Sequence, residues 1–208
     1  MKKIIAISMI LLTTMSLAAC GHSSEKTPNK SQSQKTAQSF RVSSNGSAIG
    51  RADYNRIETG NVTSPKTGTS KNVILTSFGK PNSKSRVTVN NSGKKAAIQY
   101  SWTNLKTSFK ASALTVEFLN DHAIGKGYIE ASIKNRRYIS KNRLNNVQKG
   151  ETYTQVVKTL GVPDAESLTG HGNVSARNVT YATGKNGRAL SLMFAGDKLT
   201  SKMQTVVK

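Results

Sequence analysis

Hydrophobic residues divide the chain into three parts. An apolar run at 4–12 follows Lys2 and Lys3. Residues 21–48 are mostly Ser, Gln, Lys, Thr and Asn, with few apolar positions. From about residue 50 the apolar positions recur at the spacings of helices and strands. The pattern therefore predicts a leader, a polar connector and a folded region.

A helix is predicted after Thr152 in the second half of the folded region. Thr152 and Gln155 have the spacing of a capping box, in which each side chain bonds the backbone N–H of the other residue. Val156 and Leu160 then fall on one helical face. Gly161 is suited to the positive φ that commonly ends a helix.

Residues 68–81 repeat this pattern in the first half. Ser70 occupies the N-cap position, and Ile74 and Phe78 form the apolar stripe. Gly79 ends the predicted helix. Short helices are also expected just upstream of both segments, each packing an apolar side chain against the longer helix.

Two strands with matching alternation follow these helices. ALTVEF at 113–118 corresponds to ALSLMF at 189–194, and each places every second side chain on one face. Together with the helices, they predict an internal duplication, with repeats at 50–134 and 135–208. The alternative is a chance similarity between two αβ patterns.

The segment 150–163 resembles the β-lactamase-inhibitor-protein-like repeat, and it is also similar to the related SmpA/OmlA small-lipoprotein domain. The positions that carry the resemblance are Gly150, Thr152, Val156, Leu160, Gly161 and Pro163. In 68–81 the match is weaker, because Phe78 stands in place of the leucine.

The resemblance implies an α+β fold of two tandem repeats, each a helix-loop-helix packed on one face of a small antiparallel sheet. Two such units side by side would present a joined, concave sheet, and in the named family that surface grips another protein. The inhibitors of the family carry disulfides, which this chain cannot form with its single cysteine. Their inhibitory side chains have no matching positions here, so no inhibitor residue is assigned.

The strand alternation predicts which side chains lie on the face away from the helices. The predicted binding face consists of Gln99, Ser101, Thr115, Glu117, Asn178, Thr180, Ser191 and Met193. These residues are small, polar and lightly charged, with Met193 as the large apolar member. Trp102 and Tyr128 are expected to pack in the core or at a strand edge rather than to serve as interface anchors.

The N-terminal segment has the features of a lipoprotein leader. Its apolar run ends in the lipobox-like sequence Leu17-Ala18-Ala19-Cys20-Gly21. This pattern predicts a signal peptide at 1–19, cleaved before a lipid-modified Cys20. The alternative is an ordinary signal peptide in which the cysteine occurs by chance.

A lipid-modified Cys20 would anchor the protein on the outer face of a bacterial cell membrane. Diacylglyceryl and palmitate-type acyl chains together anchor stably where one chain does not. The polar segment 20–49 is predicted to be a disordered tether, because it has too little apolar surface to offset the entropy of ordering it. Gly21 and the basic tether favour a single-membrane envelope.

The formal net charge is +21. Such a charge attracts anionic partners such as membrane headgroups, acidic cell-wall polymers or nucleic acid. No recognisable nucleic-acid reader motif is present, so no specific nucleic-acid partner is expected. Alternatively, the basic residues form a solvated surface that only keeps the protein soluble.

The sequence lacks the patterns expected for catalysis. His22, His122 and His171 have neither the spacing nor the companion ligands of a metal site. Nucleophile elbows, phosphate-binding glycine loops and dinucleotide fingerprints are missing too. The prediction is a protein without enzymatic activity, metal or cofactor.

The predicted function is therefore that of a lipid-anchored cell-envelope lipoprotein, a non-catalytic module that binds an extracytoplasmic protein through its sheet surface. Two alternatives stay open. One is an electrostatic binder of anionic cell-wall polymer or membrane. The other is an assembly factor for envelope proteins, by analogy with SmpA/OmlA.

Overall fold

The computed structural model describes residues 47–90, 93–131, 138–185 and 187–206. The predicted signal peptide, Cys20 and nearly all of the predicted tether lie outside these residues. Ile49, at the end of the predicted tether, is buried. Within the described part of the chain, no helix has both the length and the apolar character needed to cross a bilayer.

The described residues form short α-helices and β-strands of 5 to 9 residues. The helices are α1 (Arg51–Arg56), α2 (Lys71–Phe78), α3 (Lys141–Asn145) and α4 (Tyr153–Leu160). The strands are β1 (Ser83–Asn90), β2 (Lys94–Trp102), β3 (Ala111–Leu119), β4 (His122–Glu130), β5 (Ala165–Thr169), β6 (Ala176–Ala182), β7 (Arg188–Ala195) and β8 (Lys198–Val206).

All the named strands belong to one 8-stranded sheet in the order β1 to β8, and every neighbouring pair is antiparallel. The predicted fold class, two helix-loop-helix repeats each on its own small sheet, is therefore wrong. The decisive contact is between β4 and β5, which pair from Gly125 opposite Thr169 to Tyr128 opposite Glu166.

A single sheet exposes fewer strand edges than two separate sheets do. Two separate small sheets would each leave additional rows of unpaired backbone N–H and C=O groups. Pairing β4 with β5 satisfies these groups within one sheet. The helices, at 5 to 8 residues each, are minor elements beside it.

The predicted ends of the two longer helices are confirmed. Ser70 Oγ accepts a hydrogen bond from the N–H of Val73, and Thr152 forms the full capping box with Gln155. Gly79 and Gly161 end the helices with φ values of 73° and 93°. L-residues with a side chain rarely adopt this conformation, so glycine is the favoured choice at both positions.

The four helices pack on one face of the sheet. Tyr54 and Ile74, from α1 and α2, join a buried cluster with strand residues such as Leu114. Val156 from α4 joins a second cluster with Leu192 and its neighbours. The register from β3 to β7 keeps the strand members of both clusters on the same face.

Candidate functional site

The opposite face of the sheet contains a broad surface of small and polar residues. Strand register places alternate residues of β2 to β7 there. We call this surface the open face and define it by Gln99, Ser101, Thr115, Glu117, Gly125, Gly127, Ser167, Thr169, Asn178, Thr180, Ser191 and Met193.

All eight residues of the predicted binding face lie on the open face. Gln99 pairs with Glu117 across β2 and β3, and Thr180 pairs with Ser191 across β6 and β7. Ser191 Oγ also donates a hydrogen bond to Asn178 Oδ1 at 3.0 Å. The structure thus brings together residues from both halves, while their binding role stays a prediction.

Four residues at the centre of the open face are not among those predicted from the sequence. Gly125 and Gly127 lie on β4, and Ser167 and Thr169 lie opposite them on β5. The alternation of Ser167 and Thr169 with Leu168 could have indicated β5. The strand is too short and polar to stand out, and its pairing with β4 cannot be read from spacing.

The open face carries little charge in a chain that contains 31 Lys and Arg residues. Glu117 is the one charged residue among its members. Lys95 and Lys198 lie beyond its borders, on β2 and β8. Lys95 Nζ donates a hydrogen bond to the carbonyl oxygen of Val62 at 3.4 Å. The Lys and Arg residues of the described strands therefore lie outside the open face.

Glu117 is half-buried in this surface. Its Oε1 accepts a hydrogen bond from Gln99 Nε2 at 3.2 Å. Burial raises the pKa of the Glu117 carboxyl, and the hydrogen bond from Gln99 acts in the opposite direction. A carboxylate at this position is consequently less well solvated than one on an ordinary surface.

The open face is flanked by a few exposed apolar side chains. On the same side of the sheet lie Ile129, 37% exposed, and Met203, 56% exposed. Trp102 and Tyr128 are buried, as expected from the sequence. The Tyr128 hydroxyl donates a hydrogen bond to the carbonyl oxygen of Pro163 at 2.9 Å.

One corner beside the open face is covered by the loop between α1 and α2. Val62 from this loop packs on a small cluster formed by Ala97, Leu119 and Ile124. Asn61 in the same loop accepts a hydrogen bond from the His171 N–H through Oδ1 at 2.7 Å. The loop therefore covers an apolar corner that would otherwise face solvent.

The helix-covered face holds a buried charged group near the middle of the sheet. Glu166 on β5 is 6% exposed. It accepts hydrogen bonds from Arg177 Nη1 at 2.9 Å and from the Tyr153 hydroxyl at 2.8 Å. Both carboxylate oxygens thus have partners, which is the arrangement expected of a structural ion pair.

The described residues bring together no set of three His, Cys, Asp or Glu side chains able to hold a metal ion. His122 Nδ1 lies 2.8 Å from the carbonyl oxygen of Asn120, and the His171 side chain is exposed. A groove of about 380 Å³ lies beside α3 and is lined by residues such as Lys141, Leu190 and Gln204. The residues that line this groove do not include a nucleophile paired with a general base.

Residues 45–207 match DUF3862, described as a domain of unknown function with a solved structure. The chain belongs to the DUF3862 family. The match covers the whole sheet of this DUF3862 protein and both pairs of helices. Among curated proteins, none matches the chain.

A solved structure from Streptococcus mutans, at 1.40 Å resolution, is similar to this DUF3862 chain. It is described as a "putative beta-lactamase inhibitor protein". The TM-score is 0.56 at 20% sequence identity, over 76% of this chain and 96% of that chain. The likeness concerns the fold and agrees with the resemblance to β-lactamase-inhibitor proteins. The SmpA/OmlA likeness finds no support in these comparisons.

Proposed function

We propose that this DUF3862 protein is a lipid-anchored, non-catalytic protein of the cell envelope that binds another protein through its open face. The observation that carries the proposal is the near absence of charge on that face in a chain with a formal charge of +21. The centres of protein–protein interfaces are depleted in charged residues.

The description of the Streptococcus mutans protein as an inhibitor adds support, because an inhibitor acts by binding another protein. Its overall fold is similar to that of the present chain, at 20% identity. That the partner is a protein is proposed from the chemistry of the open face. No residue of the present chain is assigned an inhibitory role.

Site-specific photocrosslinking tests the binding role. A photoreactive amino acid is placed at Ser101 or Thr180, which are partly exposed members of the open face. The full chain is produced in the bacterium that makes it, and the cells are irradiated. We expect both positions to crosslink to the same discrete protein.

Val162 and Val174 provide the matched controls. They are 54% and 74% exposed and lie outside the open face, so a non-specific surface contact would label them at least as well. Equal crosslinking from these control positions, or no crosslinking from Ser101 and Thr180, would contradict the proposal.

The electrostatic alternative is favoured by a different observation. Lys84 and Arg86 on the edge strand β1 are exposed and lie outside the open face. Binding of anionic polymer by such residues would weaken steeply as salt is raised, because exposed charges are screened. Crosslinks from Ser101 and Thr180 that persist at high salt favour the protein binder. Retention of acidic polymer alone, lost at moderate salt, favours the alternative.

The lipid anchor has its own test. Cys20 is the single cysteine of the chain, and it follows the lipobox-like residues Leu17, Ala18 and Ala19. We expect the wild-type chain to incorporate a palmitate analogue and to fractionate with membranes. Cys20→Ser should lose both properties. Unlabelled wild-type protein, or label retained by Cys20→Ser, would refute the anchor.

A further inference from the structure

Within the described part of the chain, Glu117 lacks the basic partner that several other acidic residues of the protein have. Asp53, Asp121 and Glu166 each form an ion pair with a lysine or arginine. Among the described residues, none forms an ion pair with Glu117, although the chain has 31 basic residues. Its described hydrogen-bond partner is the neutral amide of Gln99.

Gly125 allows the Glu117 carboxylate to lie against the backbone of β4, and Gly127 lies next to it on the same face. A Cβ atom added at Gly125 would lie 2.9 Å from Glu117 Oε2 and 3.3 Å from Thr169 Cγ2. A Cβ at Gly127 would lie 3.4 Å from Thr115 Oγ1. We call this group of residues the glycine trough; it consists of the buried glycines Gly125 and Gly127 and the side chains of Glu117, Thr115 and Thr169 that lie against them.

The hydrogen-bonding capacity of the carboxylate is only partly used. Gln99 Nε2 bonds to Oε1, while Oε2 lies over Gly125. An ionised carboxylate offers about four lone-pair sites on its two oxygens. Since burial also raises the pKa of Glu117, the charged form is destabilised at this position and would gain from a nearby cation.

The lysine nearest to Gln99 along β2 does not pair with the Glu117 carboxylate. Lys95, the next charged residue along β2, donates from Nζ to the carbonyl oxygen of Val62 at the covered corner. The glycine trough therefore presents a carboxylate and neighbouring hydroxyl groups to an approaching molecule.

We propose that the glycine trough receives a lysine or arginine side chain from the protein that binds the open face. The inference rests on the proposed function and specifies the chemistry of the partner. A cation at Glu117 would form charge-assisted hydrogen bonds, which are shorter and stronger than neutral ones. The partner's basic side chain would also be guided to one position on a face that is otherwise neutral.

Binding of small probes tests the trough directly. The probes are Nα-acetyl-lysine amide and Nα-acetyl-arginine amide, and Nα-acetyl-norleucine amide is the neutral control. The ¹⁵N-labelled protein is purified from the bacterium that produces it and titrated by NMR. We expect saturable shifts of the Gly125 and Gly127 amide signals with a basic probe and none with norleucine. Equal shifts with the neutral control would overturn the inference.

Two variants test separately whether probe binding needs the Glu117 charge and whether it needs the glycine at position 125. Glu117→Gln should weaken probe binding by about tenfold or more, which corresponds to the loss of one strong charge contact. Gly125→Ala retains the carboxylate but displaces it, because the added Cβ would lie 2.9 Å from Glu117 Oε2, and it should weaken binding as well. Glu58→Gln, an exposed acid outside the open face, should bind as the wild type does.

Thermal unfolding of Glu117→Gln shows whether the variant is folded. We expect a midpoint no lower than that of the wild type, because the substitution removes a poorly solvated charge. Probe binding that is unchanged in a folded Glu117→Gln would overturn the inference.

Crosslinking of the natural partner distinguishes failure of this inference from failure of the proposed function. Loss of the Ser101 and Thr180 crosslinks in Glu117→Gln supports the inference. Unchanged crosslinks would overturn it and leave the proposed function standing. If the wild-type chain gives no crosslink from either position, the proposed function fails, and the inference fails with it.

Discussion

The ammonium group of Lys126 on β4 donates a hydrogen bond to the carbonyl oxygen of Ile57, at the end of α1, over 2.7 Å. The same group also bonds to the Tyr54 carbonyl at 3.1 Å and lies 4.6 Å from the centre of the Tyr54 ring. The Tyr54 carbonyl also accepts a hydrogen bond from the Ile57 N–H at 3.2 Å. The lysine adds a charged donor to both carbonyls, and a cation at the C-terminal end of a helix is stabilising.

Lys202 on β8 makes the corresponding contact at α3. Its Nζ bonds to the carbonyl oxygens of Leu144 at 2.9 Å and Val147 at 2.6 Å. Thus two short helices in different parts of the chain are each attached to the sheet by a lysine side chain. The sequence analysis assigned no structural role to either lysine.

Lys126→Met is expected to destabilise the protein by about 2 kcal/mol, because the carbonyls of Tyr54 and Ile57 lose a buried donor. Methionine retains much of the apolar stem. The free energy of unfolding, measured in urea, checks this value. Lys94→Met removes an exposed lysine of β2 and should change stability by no more than about 0.5 kcal/mol. Equal losses in the two variants would contradict the role of Lys126.

Stability should depend on pH through Lys126. Burial lowers the pKa of Lys126 in the folded protein to about 8, from the ordinary lysine value of 10.5. Interactions with Glu166 and Glu58 oppose the shift, and Arg177 adds to it. Between these two pKa values the unfolded chain binds more protons than the folded one. This group's contribution to the free energy of unfolding therefore rises with pH across that window.

The measurement is the difference in free energy of unfolding between the wild type and Lys126→Met, followed from about pH 7 to about pH 10. We expect the difference to grow above about pH 8. The deprotonated amine still has two N–H donors, so both carbonyl contacts can persist. Parallel stability curves for the two proteins would contradict the prediction.

The buried pair of Glu166 and Arg177 should contribute far more than an exposed pair. Arg177→Gln leaves a carboxylate that is 4% exposed without its cation, and the expected loss is about 3 kcal/mol. Arg56→Gln breaks a pair with Asp53 whose side chains are 36% and 33% exposed. The expected loss there is at most about 1 kcal/mol.

Urea denaturation of both variants tests this difference. Adding Glu166→Gln to Arg177→Gln removes the unpaired buried charge and should restore part of the lost stability. A double variant no more stable than Arg177→Gln alone would show that the charge is not the cause.

The two glycines of β4 should respond differently to alanine. A Cβ at Gly127 would lie 2.8 Å from the backbone oxygen of Glu166, so β4 and β5 would have to separate. We expect Gly127→Ala to cost about 2 kcal/mol. At Gly125 the closest atom is the end of the flexible Glu117 side chain, at 2.9 Å. Gly125→Ala should cost less than about 1 kcal/mol. Thermal unfolding that ranks the variants in the reverse order would contradict this account.

Local features could be predicted well from the sequence. The capping box of Thr152 and Gln155, the N-cap at Ser70 and the ends at Gly79 and Gly161 are all present. Each depends on residues within one or two turns of chain, where side-chain chemistry and backbone conformation are directly coupled. The placement of the eight predicted residues on one face likewise follows from the twofold alternation of strands.

Pairings between distant segments could not be predicted in the same way. β1 and β5 have no counterpart among the strands expected from residue alternation, because both are rich in polar or small residues. The error in the fold class follows from β5. Without this strand, nothing in the spacing indicates that the sheet continues from β4 into the second half.

The sequence by itself determined the helix ends, the alternation of the strands and the residues available to each face, since these depend on neighbours along the chain. Tertiary structure alone decided that the eight strands form one sheet, that Lys126 reaches the end of α1, and that Glu117 lies beside Gly125. These contacts join segments far apart in sequence, and the pairing of backbone groups and the burial of side chains across the sheet select them.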